Sequence, residues 1–155
     1  LKVLEEQLCL AEKLNLPVVF HDREAHADSL SVVLSHPKVR GVFHSYSGSF
    51  ETAKELLKRG WYLSFNGIIT FKNARKTVEV LEGVRDYENG KYLDRILVET
   101  DCPYLAPVPL RGSVNRSDNI VYTAQKCGEI LGIGTEAFLE LTYQNACRFF
   151  GLAEE

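Results

Sequence analysis

Four times along this chain an apolar run of strand length is followed by a segment of helical periodicity, and that alternation restricts the available folds more than any other feature. The runs are Leu16 to Phe20, Lys38 to Phe43, Trp61 to Phe65 and Arg95 to Glu99. Each is apolar on two sides, the pattern of strands covered on both faces in parallel βαβ units with right-handed crossovers. The class expected is α/β.

The segments between the strands support this. Leu1, Leu4, Leu8 and Ala11 recur at steps of three and four opposite Lys2, Glu5, Glu6 and Glu12, so the chain opens inside an amphipathic helix. Asn15, which tolerates a left-handed backbone, and Pro17, which cannot continue a helix, end it. A second helix is expected from about Glu24 to Leu34. A third starts after Ser49 as N-cap and runs through Lys58 to a stop at Gly60. Phe71, Ala74, Val78 and Leu81 mark the next, and a polar segment from Arg85 to Lys91 leads to the fourth strand. An irregular stretch holding Pro103, Pro107 and Pro109 follows, better suited to a functional loop than to a linker. Two helices close the chain, one from about Asp118 to Leu131 and one from Thr135, as N-cap, to just before Gly151. Their apolar residues, among them Ile120, Ala124, Phe138, Leu141 and Phe149, read as core.

Composition narrows the function classes. At 155 residues, 45% apolar and 25% charged, the sequence is that of one packed domain. A formal charge of −3 supplies no polycationic surface, so any nucleic-acid role must sit in a local site. No apolar stretch approaches the roughly 20 residues of a membrane span, and the acids of the first segment do not suit a secretory peptide. Cys9, Cys102, Cys127 and Cys147 lie far apart and out of CxxC spacing, as reduced thiols of a cytoplasmic protein would.

Strands of such folds carry functional residues at their C-terminal ends, where the loops converge. His21 follows one expected strand, His44 the next, and Asp101 comes just after ILVE. Two imidazoles and a carboxylate make a mixed ligand set that binds divalent cations and leaves positions for water, which points to metal-assisted hydrolysis. Glu99 and Asp101 are two apart, so in extended chain they face the same way and can divide coordination from base work. Arg23 suits either a phosphate grip or a structural ion pair. The SYSGS segment from Ser45 to Ser49 reads first as turn and N-cap chemistry, with anion binding on its N–H groups as the alternative. Arg111 and Arg116 fit a phosphate clamp and a solvated loop equally well. His26 is expected solvated on a helix surface, His36 in a turn, and Cys102 in packing.

These residues resemble a family, the TatD-type metal-dependent deoxyribonucleases. LNLPVVFHDREA, GVFHSYSGS, NGIITFKNA, ILVETDCPYLAP and NACRFFGL occur in family order and spacing across nearly the whole chain. The resemblance implies a TIM-type (β/α) barrel, two or more divalent cations at its mouth (magnesium, manganese or zinc), and hydrolysis of DNA phosphodiesters, often from the 3′ end. It places His21, His44 and Asp101 at metal-ligand positions, with Asp101 also holding or deprotonating the attacking water. Single-stranded or frayed DNA ends would be received by Tyr46, Phe71, Tyr104, Lys72 and Arg111, together with Arg23.

Departures from the family pattern are equally specific. The HxH-bearing strand and the glutamate after a GLDY-like strand do not occur, and RGSVNRSDN lacks the acid and proline that usually follow the family's asparagine. The sequence therefore looks like the last four of eight strands of one barrel, with residues 1–155 its C-terminal part, against ~250 residues for a typical full barrel. An open half-barrel is expected to self-associate through its two sheet edges. Competing expectations are a metallohydrolase acting on another ester or amide, such as an aminoacyl-tRNA link, and an inactive half-barrel with an incomplete ligand set.

Overall fold

The computed structural model describes residues 2–23 and 25–152. Its centre is a parallel sheet of four strands in the order β1-β2-β3-β4. These are β1 (Val18–His21), β2 (Gly41–His44), β3 (Tyr62–Phe65) and β4 (Ile96–Val98). Spatial order follows chain order because each crossover carries a helix: α2 (His26–Ser35), α3 (Phe50–Lys58) and α4 (Arg75–Asp86). Helix α1 (Lys2–Leu14) precedes the sheet, and α5 (Ile120–Leu131) and α6 (Thr135–Phe150) follow it. The α/β expectation with parallel pairing holds.

Alternation along the strands sorts side chains between two faces. Phe20, Phe43, Leu63 and Phe65 enter the main core beneath the helices, where they meet Val33, Leu56, Trp61, Leu81 and Phe138. Gly41 is required there, since a Cβ would lie 2.0 Å from the Trp61 ring. On the other face Val42 and Leu97 form a smaller cluster with Phe149 of α6. Val19, beside Val42 in register, is left 60% exposed because β1 is an edge strand.

Some boundaries move. Helix α4 starts at Arg75, because Gly67–Thr70 forms a 3-10 turn in which the Asn66 side chain accepts from the Ile68 N–H, and Phe71 sits beyond it in extended backbone. Thr135 is the first residue of α6; the N-cap is Gly134, whose φ of 82° suits glycine. Ser49 caps α3 as expected, its side chain accepting from Thr52 N–H. The expected roles of Leu1 in α1 and Glu24 at the start of α2 lie outside the described residues. No helix among those described is long and apolar enough to cross a membrane.

Candidate metal centre

Parallel register brings the two strand-end histidines together: His21 of β1 pairs with His44 of β2, and their ring centroids are 5.6 Å apart. Beyond β4 the chain turns through a left-handed Asp101 (φ 57°), which returns its carboxylate to the same end of the sheet. Asp101 Oδ1 lies 3.6 Å from His44 Nε2. His21, His44 and Asp101 line one crevice of about 410 Å³, with Asp22, Arg23, Ser45, Ser47, Ile68, Tyr104 and Leu105 completing its walls. The three residues singled out by sequence therefore converge.

The other side of His44 is held by a carboxylate. Glu99 lies 2.8 Å from His44 Nδ1 through Oε1 and 2.9 Å through Oε2. It also accepts from Ser45 N–H at 3.0 Å, Ser64 Oγ–H at 2.9 Å and Asn66 Nδ2–H at 3.4 Å. Asn66 Nδ2 donates as well to Ser45 Oγ. Ser45 has φ 49°, so the end of β2, like Asp101, occupies a conformation rare for side-chain-bearing residues, as chain at functional sites often does.

The donors fit a divalent cation in kind. Neutral imidazole and carboxylate are its preferred N and O ligands, and an imidazole nitrogen facing a carboxylate oxygen at 3.6 Å is a spacing that a shared cation satisfies. Among the described residues no group of three or more His, Cys, Asp or Glu side chains is spaced to enclose an ion by itself. His21, His44 and Asp101 would thus contribute to a cation's ligand shell without completing it.

The remaining expected site residues separate into three groups. Arg23 and Tyr104 line the crevice, Tyr104 being 72% exposed at its lip. Lys72 and Arg111 belong to a neighbouring hollow with Phe71, Asn73 and Val108, where the Arg111 guanidinium lies 3.8 Å from the Phe71 ring centroid. Tyr46 is a correction: it is 5% exposed, packs edge-on to Phe43 in the core, and donates its hydroxyl to the Ser49 carbonyl. Burial, and next the Asp22 carboxylate, raise its pKa above the usual phenol range, and its buried ring has no face to offer a base.

Other readings also change. His26 is not simply solvated; its Nδ1 sits 2.7 Å from Asp22 Oδ2. Cys102 is exposed instead of packed, and hydrogen bonds with Thr100 and then Ser117 bring its thiol pKa below the ordinary range, so that it ionises more readily. Asn115 is buried as a staple of the proline loop, donating to the Thr100 and Tyr104 carbonyls, while Arg116 pairs with Asp118 at 3.3 Å. Sequence reasoning passed over Ser64 and Asn66. The available signal was two polar residues, two apart, at the end of an otherwise apolar strand.

The model of the family described as TatD related DNase matches residues 1–151. Among curated relatives, the uncharacterized metal-dependent hydrolase YcfH of Escherichia coli K12 is 41% identical over 144 residues, covering 91% of this chain and 51% of the relative. The uncharacterized metal-dependent hydrolase YabD of Bacillus subtilis 168 is 37% identical over 151 residues, covering 96% of this chain and 56% of the relative. The chain spans about half the length of these relatives. Of solved structures, YjjV, a TatD homolog from Escherichia coli K12, superposes with a TM-score of 0.83 at 25% identity over 96% of this chain and 55% of that one. A TatD family hydrolase from Entamoeba histolytica gives 0.74 at 21% identity, covering 94% of this chain and 55% of its own, which bears on the fold alone.

Proposed function

This chain belongs to the TatD related DNase family, and from that membership together with the crevice we propose a metal-dependent hydrolase that cleaves DNA phosphodiesters at single-stranded or frayed 3′ ends. The observation that carries the reading is His44 Nε2 facing Asp101 across 3.6 Å in a crevice that His21 also lines. On this reading His21, His44 and Asp101 hold magnesium, manganese or zinc. When bound, such a cation acidifies a coordinated water and offsets charge on phosphoryl oxygens.

The chain's own groups do the rest. Asp101 Oδ orients the attacking water and accepts its proton. Arg23 reaches the crevice as the guanidinium suited to a bidentate phosphate grip, and the Ser45 and Ser47 walls offer hydroxyl donors. Tyr104 at the lip gives a terminal base a ring to stack on, while Ile68 and Leu105 exclude water from one wall. Lys72 and Arg111 in the adjoining hollow would follow the backbone of the strand leading in. Two or three local cations serve a chain of net charge −3, since the field that matters is at the crevice.

We further take residues 1–155 as the C-terminal part of one hydrolase barrel, its four strands being the last four of eight. Two features support this: the chain spans 51% to 56% of those relatives' length, and β1 and β4 are both open edges. A hollow of about 580 Å³ flanks β1, lined by Leu4, Leu8, Val18 and Phe20 together with the polar Gln7, His21, Asp28 and Ser29. Unpaired edges and the exposed Val19 predict self-association, and a stable monomer in sedimentation would count against it. Free cysteines, two of them exposed, agree with a cytoplasmic site of action.

The test is an equilibrium manganese titration of the wild-type chain and His44→Ala, followed by end-labelled DNA with and without chelator. The reading expects at least tenfold weaker binding in His44→Ala and chelator-sensitive shortening from 3′ ends. Equally weak binding by both proteins would instead favour the inert half-barrel, the alternative that the incomplete donor set supports. Cleavage of small esters or aminoacyl links but not DNA would redirect the substrate assignment.

A further inference from the structure

We propose that Glu99 is the positioning residue of the crevice: it holds the proton of His44 on Nδ1, and so keeps the Nε2 lone pair aimed at the space shared with Asp101. A neutral imidazole carries one N–H and one lone pair, and the partner of one nitrogen decides what the other can do. His44 Nδ1 straddles the Glu99 carboxylate, 2.8 Å from Oε1 and 2.9 Å from Oε2. A carboxylate accepts only, so the proton belongs on Nδ1.

The carboxylate cannot turn away from this task. Its other contacts are donors from two further chain segments: Ser45 N–H at the end of β2, Ser64 Oγ–H in β3 and Asn66 Nδ2–H just beyond it. Ser45 N–H is fixed by the backbone, and Asn66 is oriented by Ile68 N–H on its oxygen and Ser45 Oγ on its nitrogen. Glu99 N–H in turn donates to the Phe65 carbonyl, tying the end of β4 to β3. The orientation of His44 is therefore set by three strand ends jointly. Glu99 does not line the crevice, and its oxygens are taken up by His44 and three donors, which suits a role through His44.

The isosteric variant makes the claim sharp. Because Nδ1 lies within 3 Å of both carboxylate oxygens, a glutamine amide at this position would set one acceptor and one donor against Nδ1 whichever way it turned. Nδ1–H then keeps one acceptor but loses the other and the carboxylate charge, so Glu99→Gln should shift the tautomer population toward protonated Nε2, and Glu99→Leu, which leaves Nδ1 no acceptor there, should shift it further. The lone pair would then face the crevice in fewer molecules.

The decisive measurement is long-range 1H–15N correlation of the histidine rings without metal, at about pH 8.5, where an ordinary imidazole is neutral. His44→Asn identifies the signals. The wild type should show protonated Nδ1 and bare Nε2, Ser64→Ala should keep that tautomer, and Glu99→Gln should shift it toward protonated Nε2. A wild-type His44 protonated on Nε2 overturns the proposal even if Glu99→Gln fails to fold. So does a folded Glu99→Leu, which leaves Nδ1 no acceptor at that position, that retains the wild-type tautomer. The proposal rests on the metal reading only for a second readout: manganese affinity in Glu99→Gln should fall by about 10- to 100-fold. A tautomer that shifts while affinity stays constant would uphold the positioning role and sink the assignment of His44 as a ligand.

Discussion

His21 and His44 end adjacent strands at the same register, yet the molecule treats them differently. His44 sits on an interior strand, with Glu99 on one side and Asp101 on the other. His21 sits on the edge strand, exposed, in ring contact with His44 but without a side-chain hydrogen bond to any described residue. An interior strand end receives donors and acceptors from both neighbours; an edge strand end has only one neighbour to draw on. Preorganisation in this site thus follows strand position more than residue type.

The largest expected break in that contrast is Glu99→Leu. It strips acceptors from Ser45 N–H, Ser64 and His44 together, and should lower stability by about 2–3 kcal/mol in urea unfolding. Next in size is the response to metal. Manganese at 100 times its dissociation constant should stabilise the wild type by about 2.7 kcal/mol, an effect that falls to about 1.4 kcal/mol or less in His44→Ala and is reduced less in His21→Ala, as thermal melts would show. Ser64→Ala removes one of several bonds to Glu99 and should cost about 1 kcal/mol by the same unfolding assay.

Smaller effects sharpen the edge side. His21→Leu should change stability by less than about 0.5 kcal/mol, because an exposed ring without held partners is replaced. A loss comparable to that of Glu99→Leu would erase the contrast between the strands. Val19→Lys places a charge on the open edge and should shift sedimentation toward monomer with little change in fold. In the core, burial pushes the Cys127 thiol upward, so it should resist alkylation at neutral pH while exposed Cys9 and Cys102 react.

The elements that were legible from sequence are those whose cause is local. Ser49 as cap of α3, the helix stop at Gly60 and the two-sided strands each depend on a handful of neighbouring residues. The strand-end rule located His21 and His44 because parallel strands with helical crossovers point the same way. Tyr46 escaped because its position in a hydroxyl-rich turn says nothing about the core beneath it, where Phe43 receives its ring. Phe71 escaped because its step to Ala74 and Val78 is helical although a 3-10 turn precedes it.

Apolar periodicity, caps and chain punctuation alone determined that this protein builds a parallel sheet with two imidazoles and an aspartate toward one end. Only the tertiary structure decided that Glu99 grips His44, that Asp101 turns back through a left-handed residue, and that Tyr46 is core. The reason is range. His44 and Glu99 are 55 residues apart and meet because strand order places β3 between them, a relation carried by the assembled sheet and by no segment of the chain.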